Sequence, residues 1–359
     1  MDVLSKKDVM EHLNMYIKNC THMQTWEENG LIYSLSDSDD CYTTSLQNHY
    51  QKYPYDEMKV HCEGVCYKII SCIFYLIISF PQLDKVMFVN NLSLSTNLYP
   101  RTFWTDNISK IKYHPSYPVA IRSIMDTKFF EQHGWVRIIS RHVNIMNYNL
   151  LNKKHKKRIR MDINRMRELL NIGYTLESYN ATPTLPHKQI DYGGLIDEIL
   201  ERFKFCYDSL YVSKYSKSNP QFTIKWLRLF ISYKGSSLIW IRDPSNIICA
   251  VVGYYRVDNF TTATLFGYDT DAVIPKTINF TLYSALSTII YLENVRLKTI
   301  GHYSGGCRDY KKQRGATAHL EYTMVYYKHL PYYKQISWIY MYALTRIIEF
   351  VYYLFMKNV

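Results

Sequence analysis

Two stretches of this 359-residue chain lie over each other without a gap when Ile121 is set against His302: "IRSIMDTKFFEQHGWVRIISRHV" and "GHYSGGCRDYKKQRGATAHLEYT". In that register Ser123 meets Ser304, Gln132 meets Gln313, and Gly134 meets Gly315. Each stretch reads as a strand, a polar turn, a short helix ending at glycine, and a second strand. The segments upstream correspond as well. "KVMFVNNLSLS" and "FWTDNISKIKY" precede the first, and "TTATLFGYDT" and "INFTLYSALSTIIYLENV" precede the second, an extended segment and then a helix each time. Three identities are few, but the shared order of elements constrains the fold to an α/β chain built by tandem duplication. Length agrees, because a single core rarely grows past about 250–300 residues.

Between the copies, "SRHVNIMNYNLL" closes the first half, so the expected domains are 1–150 and 151–359. The second is entered by a basic helix. Lys153, Lys154, Lys156, Lys157, Arg158 and Arg160 lead into Met161, Met166, Leu169 and Leu170 at roughly helical spacing, with Gly173 where a helix would stop. These cations form either a solvated helix face or a contact for an anionic substrate or RNA. "YTLESYNATPT" looks extended, and "WIRDPSNIICAVVGYYRV" reads as a hairpin turning on Asp243, Pro244 and Asn246. Further on, Leu282, Ala285, Leu286 and Ile289 form an amphipathic stripe.

Lys and Arg outnumber Asp and Glu by 43 to 31, a net charge of +12 that favours anionic partners: nucleotide cofactors, acyl carrier proteins, nucleic acids or anionic lipid. The eight cysteines are irregularly spaced with no CxxC pair. His61, Cys62 and Cys66 cluster in "HCEGVC", but no second ligand pair follows at zinc spacing, so no metal is expected. Packed thiols and a polar N-terminus without a secretory signal point to a reduced, cytoplasmic protein. The apolar run 69–80, "IISCIFYLIISF", is too short to span a bilayer and reads as a buried helix. "QISWIYMYALTRIIEFVYYLFM" is long enough, but Arg346 and Glu349 fall near its middle. It reads as a packed helix, with membrane-surface contact as the alternative and no stable membrane insertion expected.

The hairpin, the strand ending "LFGYDT", the helix after it and "LKTIGHYSGGCRDYKKQRGA" occur in an order that resembles the GNAT superfamily of acyltransferases. The resemblance is closer to its Fem-type branch of tandem GNAT folds. "YKKQRGA" matches that branch's aromatic-Lys-x-x-x-Gly pattern through Tyr310, Lys311 and Gly315, behind the small-residue turn Ser304-Gly305-Gly306. The resemblance covers most of 152–330 directly and the first half through the repeat. It implies two tandem GNAT-like domains, each a mixed, strongly twisted sheet flanked by helices. It also implies acyl transfer, with acyl-CoA as donor, to an amine of a small-molecule, sugar or peptide acceptor. Aminoacyl-tRNA or an acyl carrier protein is the alternative donor, and a catalytically inactive binding protein the alternative outcome. One departure stands out: where GNAT enzymes place a glycine-rich pyrophosphate turn, this chain reads "DTDAVIPKTIN".

By resemblance, Lys311 would stabilise negative charge on the transferred carbonyl or hold a phosphate. Lys276 and the helix-start amides of Thr277 and Ile278 would hold donor phosphates, beside Ser304, Gly305, Gly306 and Tyr310. Gly305 and Gly306 also read as serving the backbone geometry after a strand, since the full P-loop pattern is missing. Asp269, at a strand end, could take the amine proton or act as a turn aspartate, and Tyr268 could orient substrate or pack. Glu321 and Tyr322 should point to opposite faces of a sheet, one of them towards the cleft unless Glu321 simply faces solvent on an edge strand. His302 and His319 are lesser candidates. Tyr211, Lys214, Tyr215 and Lys217 could hold a phosphorylated acceptor or line a surface loop. Phe130 occupies the first-half position of Lys311, the asymmetry that a single active site, or drift, would produce.

Overall fold

The computed structural model describes residues 24–36, 46–56, 76–77, 79, 81, 83, 85–89, 101–179, 188–189, 196–217, 219–232, 235–257 and 259–356. The N-terminal stretch, Cys20, Cys41, Cys72, the His61–Cys62–Cys66 cluster and most of the 69–80 run lie outside these residues. The described residues divide into two compact units, one within 24–141, 215–220 and 320–356, the other within 142–214 and 221–319.

In the first unit β1 (Gln24–Glu28), β2 (Leu31–Ser36) and β3 (Val86–Val89) pair antiparallel in succession. After α1 (Arg101–Asn107), β4 (Val119–Ile124) returns parallel to β3. Then come α2 (Lys128–Gln132) and β5 (Val136–Met146). β3 and β4 are buried on both faces, and the pleat separates two cores. Met87, Val89, Val119 and Ile121 join Trp104, Phe130 and Trp135 on one side. Val86, Phe88 and Ala120 join Ile138, Trp338 and Met341 on the other.

The second unit begins with the end of β5 and α3 (Lys153–Asn171). β6 (Thr175–Tyr179), β7 (Lys188–Gln189), α4 (Ile196–Tyr207) and α5 (Ile224–Ser232) follow. β8 (Ser236–Arg242), β9 (Ile248–Val257) and β10 (Phe260–Tyr268) form an antiparallel run. After α6 (Leu282–Leu297), β11 (Ile300–His302) returns parallel to β10. The unit closes with α7 (Arg308–Lys312) and the start of β12 (Thr317–Tyr326). The fold is α/β, with mixed sheet flanked by helices, as expected.

The repeat holds in the backbone. Ser123 and Ser304 take the same left-handed conformation, at φ 59° and 57°, and so do Gly134 and Gly315, at 82° and 94°. α2 and α7 lie between them in equivalent places. Each unit takes its last strand from the other copy. β12 pairs antiparallel with β4, Tyr322 opposite Ile124, while the end of β5 pairs with β11, Met146 opposite Gly301.

Local signals account for several elements. The β8–β9 turn is held by Asp243 Oδ1, which accepts from the amides of Ser245 and Ile247 at 2.9 Å, with Asn246 left-handed. α3 starts at Asn152, whose side chain accepts from the His155 amide at 2.9 Å, and Gly173 follows its end at φ 99°. Its buried stripe is Ile159, Asp162, Met166 and Leu169. Met161, expected on that stripe, is exposed. The six cations at the start of α3 are all exposed, and among the described residues none forms an ion pair. Leu282, Ala285, Leu286 and Ile289 are all buried on α6. The C-terminal helix α8 (Tyr332–Met356) packs Trp338 and Met341 into the first unit's core. Its Glu349 is buried and paired with Arg137 and Arg346, at 3.0 and 2.8 Å. No described helix is long and apolar enough to cross a membrane.

Candidate functional site

In the second unit β11 pairs with β10 over three residues only, Ile300 to His302, before the chain turns away into the loop 303–307. That loop is clasped by Asn144 on β5. The Asn144 amide donates to the Ser304 carbonyl at 3.0 Å, and its side-chain nitrogen donates to the carbonyls of Ser304 and Gly305 at 2.9 and 3.2 Å. α7 then carries Lys311 back beneath the loop. Its Nζ donates to the Tyr303 carbonyl and, at 3.3 Å, to that of Ser304. The lysine is 8% exposed, so its head is placed among carbonyl dipoles rather than in water.

A small open cleft lies against this arrangement. Met146 of β5 and Ile159 of α3 give it apolar wall, and Ser287, Thr288 and Tyr291 enter from α6. Tyr303, Tyr310, Lys311 and Arg314 complete one side and Asp162 another. Asp162 is buried and accepts from Arg314 Nε at 2.5 Å and from the Tyr310 hydroxyl at 3.4 Å, while Arg165 stands 3.9 Å from its other oxygen. The Arg314 guanidinium stacks on the Tyr310 ring, 3.3 Å from its centre. Burial and the Asp162 charge push the Tyr310 phenol up to about 12, so its hydroxyl remains a neutral donor across the ordinary pH range. Burial raises Tyr303 too, and the Tyr303 hydroxyl accepts from Asn294 at 2.8 Å. The result is a small cleft with apolar walls, whose Tyr310, Lys311 and Arg314 donors are held by Asp162 and by the carbonyls of Tyr303 and Ser304.

Tyr310 and Lys311 therefore line one cleft, whereas Ser304, Gly305 and Gly306 belong to the loop that Asn144 clasps and are not among the residues lining it. The reading of both glycines as backbone necessities needs correction. The left-handed residues are Ser304 and Cys307, not the glycines between them. Gly305 still has a reason, since a Cβ there would stand 3.0 Å from the His142 carbonyl, but nothing crowds Gly306 within 4 Å. Lys276 and Thr277 are exposed on a separate 3₁₀ turn, and α6 opens only at Leu282. The Ile278 amide already donates to the Pro275 carbonyl at 3.1 Å, and its side chain joins the core, so these are not helix-start amides.

Asp269 does not line this cleft. Its carboxylate accepts from Arg202 at 2.6 Å and from the Asp271 amide at 3.1 Å, the work of a turn aspartate, while Tyr268 packs against the core. Glu321 belongs to the first unit, where it is buried and bound to Arg141 at 2.7 Å. Tyr322 beside it meets the Arg137 guanidinium, 5.7 Å from its ring centre. His302 is buried; burial and the nearby His302 charge lower His319. Tyr211 stacks on Tyr207, and Lys214 and Lys217 are exposed. In the first unit Phe130 is packed between Trp104 and Trp135, so the position equivalent to Lys311 is apolar core.

Asp162 and Arg314 are the site residues that sequence reasoning missed. A signal existed: Asp162 falls three residues after Ile159 and four before Met166, an acid on the apolar stripe of a basic helix.

No family model matches the chain, and no curated protein does. Solved structures similar to it include the C-terminal domain of a candidate lysylphosphatidylglycerol synthetase from Agrobacterium fabrum, 9% identical, covering 89% of this chain and 92% of that one at a TM-score of 0.47. FemX is 8% identical over 70% of this chain and 83% of its own, at 0.45. A tandem GNAT protein from the clavulanic acid biosynthesis pathway is 10% identical over 84% and 99%, at 0.36. None of these likenesses reaches a TM-score of 0.5, and none carries an argument about this chain.

Proposed function

We propose that the chain is an acyltransferase that moves an acyl group from acyl-CoA to the amine of a small-molecule, sugar or peptide acceptor, in the cleft above Lys311. The observation that carries this reading is the Lys311 amino group, buried at a cleft wall beside the Tyr310 hydroxyl and Arg314. A neutral amine attacks the thioester carbonyl, the C–N bond forms, and negative charge gathers on the carbonyl oxygen. Lys311 exchanges the Tyr303 and Ser304 carbonyls for that oxygen. Collapse breaks the C–S bond, and the departing thiolate takes the proton the amine loses. A cationic donor set against that oxygen inside a cleft stabilises such charge. The Asp162–Arg314 pair keeps the cleft's second cation fixed and partly neutralised, so Lys311 dominates the local field.

Thermal-shift measurements with acetyl-CoA, longer acyl-CoAs and free CoA test this. A ligand at about a hundred times its Kd adds roughly 2.7 kcal/mol, enough to raise Tm visibly. Lys311→Ala should then lower acyl transfer by about 10²–10³-fold, with a smaller change in binding. No shift with any acyl-CoA would sink the donor assignment. A second reading, aminoacyl-tRNA as donor, is favoured by the six unpaired cations on α3. It requires salt-sensitive tRNA binding that disappears when those cations are neutralised.

A further inference from the structure

Eleven of the twenty-one large apolar side chains left exposed among the described residues belong to α8. This helix has two apolar sides. One carries Trp338, Met341, Thr345 and Glu349 into the first unit. The opposite stripe, Ile336, Ile339, Ala343, Ile347, Phe350 and Leu354, follows the same three- and four-residue steps and is exposed throughout. Phe350 is 64% and Ile347 61% exposed. Tyr342 and Tyr353 flank the stripe on one side, Tyr333 and Val351 on the other. At about 100° per residue the apolar arc covers roughly half the helix circumference. It carries no carboxylate, because Glu349 faces inward, and Arg346 is its one charge. Leu76 and Ile77, also exposed, extend the patch: the Tyr340 hydroxyl donates to the Ile77 carbonyl at 3.0 Å.

We propose that α8 docks the protein on an anionic lipid surface, lying in the plane of the headgroups with this arc immersed. The width of the arc argues for a flat apolar medium. A single helix from a second copy of the chain would cover a seam of every third and fourth residue and leave the flanking positions in water. Such flanks carry paired acids and bases in helix dimers; here they hold tyrosines, Val351 and Arg346. Tyrosine suits the boundary between acyl chains and headgroups, with an apolar ring and a wet hydroxyl. An acid-free arc on a chain of net charge +12 suits anionic headgroups. Since α8 is not long and apolar enough to cross, it lies on the surface.

The test is flotation of the full chain with phosphatidylcholine vesicles, with and without phosphatidylglycerol. The protein should float with the phosphatidylglycerol vesicles. Ile347→Asp with Phe350→Asp should cut the bound fraction roughly tenfold or more. Ile347→Ser with Phe350→Ser, which adds no charge, should cut it in the same direction, with near-UV circular dichroism and Tm unchanged in both. Neutralising Lys153, Lys154, Lys156 and Lys157 on α3 should cost less than either. Wild-type protein left at the bottom of the gradient overturns the proposal. So do double variants that float as well as wild type. So does a wild-type dimer in sedimentation that the same variants dissolve, which would make a second copy the occupant.

Discussion

Gly134 and Gly315 hold the same left-handed backbone at equivalent points of the two copies, but their surroundings differ. A Cβ on Gly134 would make ordinary contact, 3.5 Å from Lys328 Nζ. On Gly315 it would overlap Leu151 Cδ2 and stand 2.8 Å from Nδ1 of His155. Both alanine variants carry the cost of a left-handed side chain, about 1 kcal/mol. Gly315→Ala also forces two packed side chains apart, so we expect it to lose about 2–3 kcal/mol against about 1 for Gly134→Ala. Urea unfolding of the two variants measures the difference, and equal losses would mean that Leu151 and His155 yield freely. These glycines were legible in the sequence because a left-handed φ restricts which residue can stand there. Lys311 was legible for another reason, as part of a spaced motif. Asp162 escaped because its meaning lies in which face of α3 it occupies, and that face was assigned around Met161, which is exposed.

Elements whose apolar residues recur at one period were read correctly: α6 by its stripe, the β8–β9 hairpin by its turn residues. A π-helical turn at Asn48–Lys52 carried no such signal. Its His49 ring sits against β5, with Nε2 3.2 Å from the Ser140 carbonyl and 3.0 Å from the Ser140 hydroxyl. Burial, with the Arg122 and Arg141 charges adding to it, pushes this imidazole down to about 3. The folded pKa thus lies below the unfolded value near 6.5. The neutral ring's contribution is complete above about pH 6.5 and is lost as pH falls towards 3, by at most about 1.4 kcal/mol per pH unit. His49→Gln, which keeps a hydrogen-bonding side chain without a titrating ring, should flatten the fall of urea midpoints between about pH 6 and 4. Parallel pH profiles for wild type and variant would show that the ring takes up its proton without loosening the turn.

Across the whole chain the consequential feature is the exchange of last strands, and periodicity could not reveal it. The repeat identifies β5 and β12 as equivalent, yet which strand each one pairs with is decided by contacts far apart in sequence. A cut at 150/151, natural by composition, separates β4 from the strand that lies beside it. A fragment of residues 1–150 would leave the β4 edge with unpaired N–H and C=O groups. It would also lack Val325, Trp338 and Met341 from its core. We expect this fragment alone to aggregate or to unfold without cooperativity. Supplying residues 316–359 as a second chain in the same cell should restore a soluble complex with a sharp urea transition, since that segment brings both the strand and α8. Single substitutions would not separate these contributions, because each removes only one side chain from a contact made by backbone and core together. A sharp transition for residues 1–150 by themselves would mean that β12 is an accessory to a core that closes without it; the exchange would then follow the folding of the first copy rather than contribute to it.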